Sequence, residues 1–207
     1  ITVFSFHPVK IITSAEGGVA TTNQKRLADQ MSILREHGIV REKSKFTERS
    51  HGKWFYQQQY LGFNYRLSDV HAALGINQLK KINLFVKRRN QIINTYKTKL
   101  KNFPIQFQKV DKNIYSSYHL LIILVPKKVH SKLFNYLRNK NINVNLHYIP
   151  IFLHPYYSKI KKYNSNHFKS SINYYNRAIS LPVYYGLTDR EINKIIIKIK
   201  FILNKEL

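Results

Sequence analysis

The stretch 118–148, YHLLIILVPKKVHSKLFNYLRNKNINVNLHY, decides the fold class of this chain. Tyr118 to Val125 is a short apolar run with no charged residue, bounded by Pro126, and it reads as a buried strand. Proline suits the first turn of a helix, where its missing N–H would have no intrahelical partner, so Pro126 opens a helix reaching about Lys140. Ile142 to Tyr148 then reads as a second strand. Strand, helix and strand in succession predict an α/β lobe.

Towards the carboxyl end, helices are expected around 170–179 and from Thr188 to Leu203. Thr188 and Glu191 have the spacing of a capping box. Towards the amino end, Ser68 and Asp69 start a long helical pattern. Val70, Ala73, Leu74, Leu79, Ile82, Phe85, Val86, Ile93, Tyr96 and Leu100 keep one apolar stripe, which predicts a single helix bridging two lobes. Residues 39–63 lack periodicity and carry Trp54, Phe55, Tyr56 and Tyr60, the composition of an ordered functional loop. Before them, Asn23 can cap a helix with Leu27, Met31 and Leu34 on one face, stopped at Gly38. Ile11–Thr13 and Val19–Thr22 flank the turn-forming Ser14–Gly18, which predicts a hairpin directly after Lys10. The domain boundary is expected at 90, separating 1–90 from 91–207.

Composition narrows the classes of function. The 207 residues are 43% hydrophobic, enough for one core or two modest lobes. Ile195–Leu203 is interrupted by Lys198 and Lys200, and no run approaches the roughly 20 apolar residues of a membrane span. With no basic segment leading into an apolar one at the start, a cytoplasmic chain with no membrane partner is expected. The chain has no cysteine, which excludes disulfides and thiolate metal sites. Thirty-five Lys and Arg against 10 Asp and Glu give a formal charge of +25. The excess contains no block of five basic residues and accompanies abundant Ile, Asn and Tyr. It reads as a coding bias more than as a nucleic-acid surface, although it would still draw in anionic small molecules.

Three blocks carry chemistry. The first is SFHPVKIITSAEGGVATTN at 5–23, the second WFYQQQYLGFNYRLSDVHAALGINQLKKINLFVKRR at 54–89, and the third ISLPVYYGLTDREI at 179–192. Together and in this order they resemble the DegT/DnrJ/EryC1 family of sugar-nucleotide aminotransferases, with the WFYQQ and LGFNYR words pointing to its pseudaminic acid branch. The resemblance implies the carboxy-terminal portion of a fold-type I enzyme, comprising the end of the large domain plus a small α/β domain. It also implies pyridoxal 5'-phosphate as cofactor, and amination of the C4 keto group of a UDP-linked 4-keto-6-deoxy sugar with glutamate as donor, in surface-glycan or pseudaminic acid biosynthesis.

By that resemblance Lys10 is the catalytic residue and holds the cofactor's aldehyde as a Schiff base. An amine in that role must be nucleophilic near neutral pH, so its ammonium form has to be disfavoured by burial or by positive neighbours. Ser5 corresponds to a hydroxyl that bonds the cofactor phosphate; read by itself, it is a local backbone partner. Asn64 matches a residue reaching the phosphate from a neighbouring subunit, which implies a homodimer with shared sites; read by itself, it is a turn former ahead of Ser68. Arg66 could hold an anionic substrate or serve the surface. His147, in HYIP, lies where the family has its substrate entrance, but Phe152 stands where many members carry another histidine. No metal site is expected, since a His147–His154 pair has no acidic or cysteine companion. Gly17 and Gly18 suit a turn better than a phosphate cradle.

Family members are roughly twice as long, with the matching lysine near their middle. The expectation is therefore that an amino-terminal half, separately encoded or missing from the sequence as given, completes the site, and that residues 1 to about 90 expose apolar faces unless something covers them. Two alternatives remain at this level: a non-catalytic remnant of such an enzyme, or a basic module that binds nucleic acid or other anions.

Overall fold

The computed structural model describes residues 1–160 and 165–206 and divides into two compact units, Ile1–Ile82 and Asn83–Leu207. The division falls between residues 82 and 83, where the sequence placed it after 90.

In the first unit, β1 (Thr2–Ser5) pairs antiparallel with β2 (Gly18–Thr21), Ser5 opposite Gly18. The expected hairpin is corrected here. Val19–Thr21 lies against Thr2–Phe4, and Ile11–Thr13 belongs to the loop between the strands. Ile12 and Ser14 turn their side chains inward, and Ser14 N–H donates to the Phe6 carbonyl, while the ladder of β2 is filled by Thr2–Ser5. Helix α1 (Lys25–Arg35) starts one residue later than read: Gln24 occupies the cap without a side-chain bond, while its carbonyl accepts from Leu27 and Ala28 N–H.

The end of α1 is set by His37 and Gly38, both with positive φ, of 62° and 72°. A Cβ on Gly38 would lie 1.9 Å from the Tyr60 carbonyl oxygen, and one on Gly62 would lie 2.1 Å from Gly38 N. These two glycines let the chain pass against itself. The 39–63 segment holds a short ladder between β3 (Ile39–Val40) and β4 (Gln57–Gln58), and an edge-on contact of Phe46 with Phe55 at 5.3 Å.

The long bridging helix is also corrected. Helix α2 (Asp69–Leu79) and α3 (Ile82–Leu100) are separate, and at Lys81 the backbone bond tightens from i→i−4 to i→i−3, with Gln78 accepting. The apolar stripe runs unbroken through the two exposed lysines at the break, so hydropathy carries no sign of it. Ser68 does cap α2, accepting from His71 N–H at 3.4 Å.

Few apolar side chains of this unit are buried: Ile12 and Val40 are, whereas all eight residues of β1 and β2, and Val70, Leu74, Ile76 and Leu79 of α2, are exposed. The apolar exposure expected of an incomplete core is present.

The second unit is a two-layer α/β structure. Its sheet has the order β5 (Gln106–Phe107), β6 (Leu121–Leu124), β7 (Ala178–Leu181), with both pairings antiparallel. Alternate residues of β6, Leu121 and Ile123, face a core shared with α3, α4 (Lys127–Asn139) and α7 (Asp189–Glu206). Pro126 sits at the cap of α4, as expected. Thr188 and Glu191 form the reciprocal capping box: Thr188 N–H donates to Glu191 Oε2 at 2.8 Å, and Glu191 N–H donates to Thr188 Oγ1 at 3.3 Å.

Two expectations change. The strand read over Ile142–Tyr148 is reduced to one bridge, Asn145 with Ser180, because Ile142 and Val144 turn into the core while the chain bends away after it. The helix read over 170–179 ends at Tyr175 (α6, Lys169–Tyr175, following the short α5, Pro155–Ile160), since Arg177 carbonyl accepts from Val125 N–H and leads directly into β7.

Candidate active site

Lys10 lies in the loop that joins β1 to β2, and that loop is stitched down from both ends. Phe6 N–H donates to Gly17 carbonyl at 2.8 Å, and Ser14 N–H to Phe6 carbonyl at 3.0 Å. Thr13 Oγ1 donates to the same Phe6 carbonyl at 2.8 Å and accepts from Ala15 N–H at 2.9 Å. The fully buried Ser14 donates its hydroxyl to Glu16 carbonyl at 2.6 Å. Gly17, at φ 137°, has space for no side chain, since a Cβ would approach Leu67 Cδ1 to 2.8 Å. Leu67 therefore backs the loop.

Within it, Lys10 N–H closes a turn on His7 carbonyl at 2.9 Å, with Pro8 following His7. The Lys10 side chain is half-buried, and among the described residues its amine has no hydrogen-bond or ion-pair partner. A fixed backbone thus carries an uncommitted primary amine. Ser5 stands at the end of β1, exposed, and its Oγ accepts from His7 N–H at 3.4 Å. That is the local backbone contact read from sequence, and it leaves the hydroxyl hydrogen unassigned.

Asn64 and Arg66 belong to a strap that runs back along the end of α1. Phe63 N–H donates to Leu34 carbonyl at 2.7 Å, Tyr65 N–H to Arg35 carbonyl at 3.0 Å, and Asn64 bridges Glu36. Phe63 and Tyr65 stack at 4.8 Å with their planes 12° apart. Asn64 and Arg66 are exposed, as are Trp54 and Leu61 nearby. The structure places Ser5 at the end of β1 and Lys10 in the loop that follows, and Asn64 and Arg66 in one strap, and no hydrogen bond or ion pair joins the two pairs among the described residues.

His147 lies in the second unit. Its Nδ1 is 2.7 Å from Ser180 Oγ, its carbonyl accepts from Tyr174 Oη at 3.0 Å, and its ring meets Tyr148 edge-on at 4.5 Å. Burial holds the imidazole below its ordinary value of 6.5. Ser180 and Tyr174 escaped the sequence reading. Ser180 carried one signal, a polar residue inside the apolar strand Ala178–Leu181, which in a buried position needs a partner. Among the described residues no group of His, Asp and Glu could hold a metal ion, and no helix is long and apolar enough to cross a membrane.

Comparison with known proteins matches this arrangement to one group. The profile of the DegT/DnrJ/EryC1/StrS aminotransferase family covers residues 1–200. The chain is 37% identical over 193 residues to a UDP-4-amino-4,6-dideoxy-N-acetyl-beta-L-altrosamine transaminase of Campylobacter jejuni, covering 89% of this chain and 47% of that one. Among solved structures, PseC of Helicobacter pylori, an aminotransferase involved in the biosynthesis of pseudoaminic acid, superposes with a TM-score of 0.83 at 28% identity over 98% of this chain and 53% of its own. Spr1654 of Streptococcus pneumoniae, solved in its PMP form, gives 0.87 at 26% identity, over 100% and 53%. The chain spans about half the length of the relatives it matches. It belongs to the DegT/DnrJ/EryC1/StrS aminotransferase family and has the fold of the carboxy-terminal portion of a fold-type I, pyridoxal-phosphate-dependent aminotransferase.

Proposed function

We propose that this chain is the lysine-bearing portion of an aminotransferase that places an amino group on the C4 keto carbon of a UDP-linked 4-keto-6-deoxy sugar, with glutamate as donor and pyridoxal 5'-phosphate as cofactor. The observation that carries the reading is the uncommitted Lys10 amine on its stitched loop, inside a family match running from residue 1 to 200. The donor set suits the cofactor: a primary amine for the aldehyde, and a Ser5 hydroxyl and an Asn64 amide for phosphate oxygens. Bound there, the cofactor supplies an electron sink for the carbanion formed at the donor's Cα.

The rest falls to protein groups. Lys10 Nζ tethers the cofactor, and once freed it carries a proton, so one atom acts as anchor and as base. Ser5 Oγ can donate to phosphate while still accepting from His7 N–H. Asn64, exposed beside its stacked aromatic neighbours, is available to a second copy of the chain, which is the basis for reading a homodimer with shared sites. Arg66 offers a planar pair of donors to a carboxylate or diphosphate. His147, whose imidazole burial holds below its ordinary value, offers one ring nitrogen to a sugar hydroxyl while Ser180 occupies the other. The remaining half of the site comes from the length that the relatives have in addition, on the same polypeptide or a separate one, in the cytoplasm.

The test is reconstitution: the chain is combined with that additional half, the cofactor, glutamate and a UDP-linked 4-keto-6-deoxy sugar. The expected result is a 4-amino sugar product that disappears with Lys10→Ala while the circular dichroism stays unchanged. Undiminished product from Lys10→Ala would overturn the reading.

A further inference from the structure

Charge is divided unevenly between the two units. Asn83–Leu207 holds 23 of the 35 Lys and Arg but only four of the 10 Asp and Glu. All four carboxylates are engaged: Asp189 with Arg88 at 2.9 Å, Glu206 with Lys132 at 2.5 Å, Glu191 in the capping box, and Asp111 with Asn113 N–H at 2.8 Å. The basic residues are spread nearly in proportion to length, and the second unit's larger net charge comes from its few carboxylates.

Helix α7 shows what that excess surrounds. Its inner face, Ile192, Ile195, Ile196, Ile199, Ile202 and Leu203, is buried. At about 100° per residue, Arg190, Lys194, Ile197, Lys198, Phe201 and Lys205 share the opposite face, and the carboxylate at its edge, Glu191, is taken up in the capping box. At its centre Ile197 is 66% exposed and Phe201 53%. Phe201 stacks on Tyr136 of α4 at 5.7 Å, and Lys140 Nζ stands 5.9 Å from the centroid of that tyrosine ring, so the mixture of aromatic and cationic groups continues across both helices.

We propose that this outward face of α7 is a docking surface for an anionic lipid bilayer. The cations select a negatively charged partner, and the two large apolar side chains at the centre select among negative partners. A bilayer accepts them below its headgroups while the surrounding lysines meet phosphate. A nucleic-acid duplex would reward the cations and leave Ile197 and Phe201 in water. The face thus has the composition of a helix lying at a membrane surface, on a protein with no spanning helix among its described residues.

Because the chain has no cysteine, one polarity-sensitive fluorophore can be placed at Asn204→Cys, beside the apolar pair, or at Lys112→Cys in an exposed loop of the same unit. Both labelled chains are titrated with vesicles of phosphatidylglycerol and phosphatidylcholine, with phosphatidylcholine alone, and with a DNA duplex. The expected result is a blue shift at residue 204 only, with the phosphatidylglycerol vesicles only. Affinity should fall at least about tenfold on adding Ile197→Ser with Phe201→Ser, and at least about tenfold on adding Lys194→Glu with Lys198→Glu, the fold unchanged by circular dichroism. No shift at 204, an equal shift at 112, an equal response to phosphatidylcholine alone, or a response to DNA and none to vesicles would each overturn the proposal.

Discussion

Single residues set the sharpest limits in this chain. Gly38 combines a φ of 72° with backbone 1.9 Å from where a Cβ would stand, and Gly62 fills the complementary position. Gly38→Ala should destabilise the first unit by about 2 kcal/mol or more, the joint cost of a left-handed alanine and a displaced Tyr60 backbone, read as faster proteolysis within 39–63. At Ser180, replacement by Ala leaves the half-buried His147 Nδ1 without its partner and should cost about 1 kcal/mol in chemical denaturation. His147 also fixes a pH dependence. Its folded value lies below the ordinary 6.5, so the unfolded chain binds more protons as pH falls through 6.5. The contribution is intact above 6.5 and is lost on acidification towards the folded value. His147→Gln should flatten that part of the stability curve. The Ser180 and Tyr174 contacts of His147 could not be read from the sequence, because these residues lie 33 and 27 positions away.

Elements were legible to the extent that their signals were local. The capping box of α7 needs only Thr188 and Glu191 three residues apart, and it forms as expected. Thr188→Ala should cost about 1 kcal/mol in urea, with an unchanged slope. Hydrogen bonds from Thr188 hold the Glu191 carboxyl below its ordinary value, so this cap is present above pH 4.5 and weakens as pH falls below it. The break between α2 and α3 left no trace in hydropathy, since the stripe of apolar residues carries straight across Lys80 and Lys81. The β1–β2 pairing was misread for a different reason. Ile11–Thr13 has a strand's composition, but Ile12 is buried and Thr13 Oγ1 bonds the Phe6 carbonyl and Ala15 N–H, contacts that only the folded chain reveals.

At the scale of the whole molecule, the two units differ in how much they bury. The second unit holds a continuous core from α3, β6, α4, β7 and α7, whereas the first leaves both strands of its hairpin and much of α2 in solvent. Backbone amides of Ile1–Ile82 should therefore exchange with deuterium faster than those of β6, β7 and α7, and comparable protection in both units would contradict this account of where stability resides. The family was legible because the words around Lys10, Asn64 and Ser180 survive as short blocks. What those words could not convey is the setting of Lys10, which depends on Phe6, Thr13, Ser14 and Gly17 closing the loop around it. The proposed role of the loop is to present the amine that binds the cofactor's aldehyde. It is tested most directly by adding pyridoxal phosphate to the chain completed by the length its relatives possess, reducing with borohydride and mapping the modified peptides. A single adduct on Lys10, absent from Lys10→Ala, is expected; equal labelling of several exposed lysines, or an undiminished adduct in the variant, would show that Lys10 does not hold the cofactor.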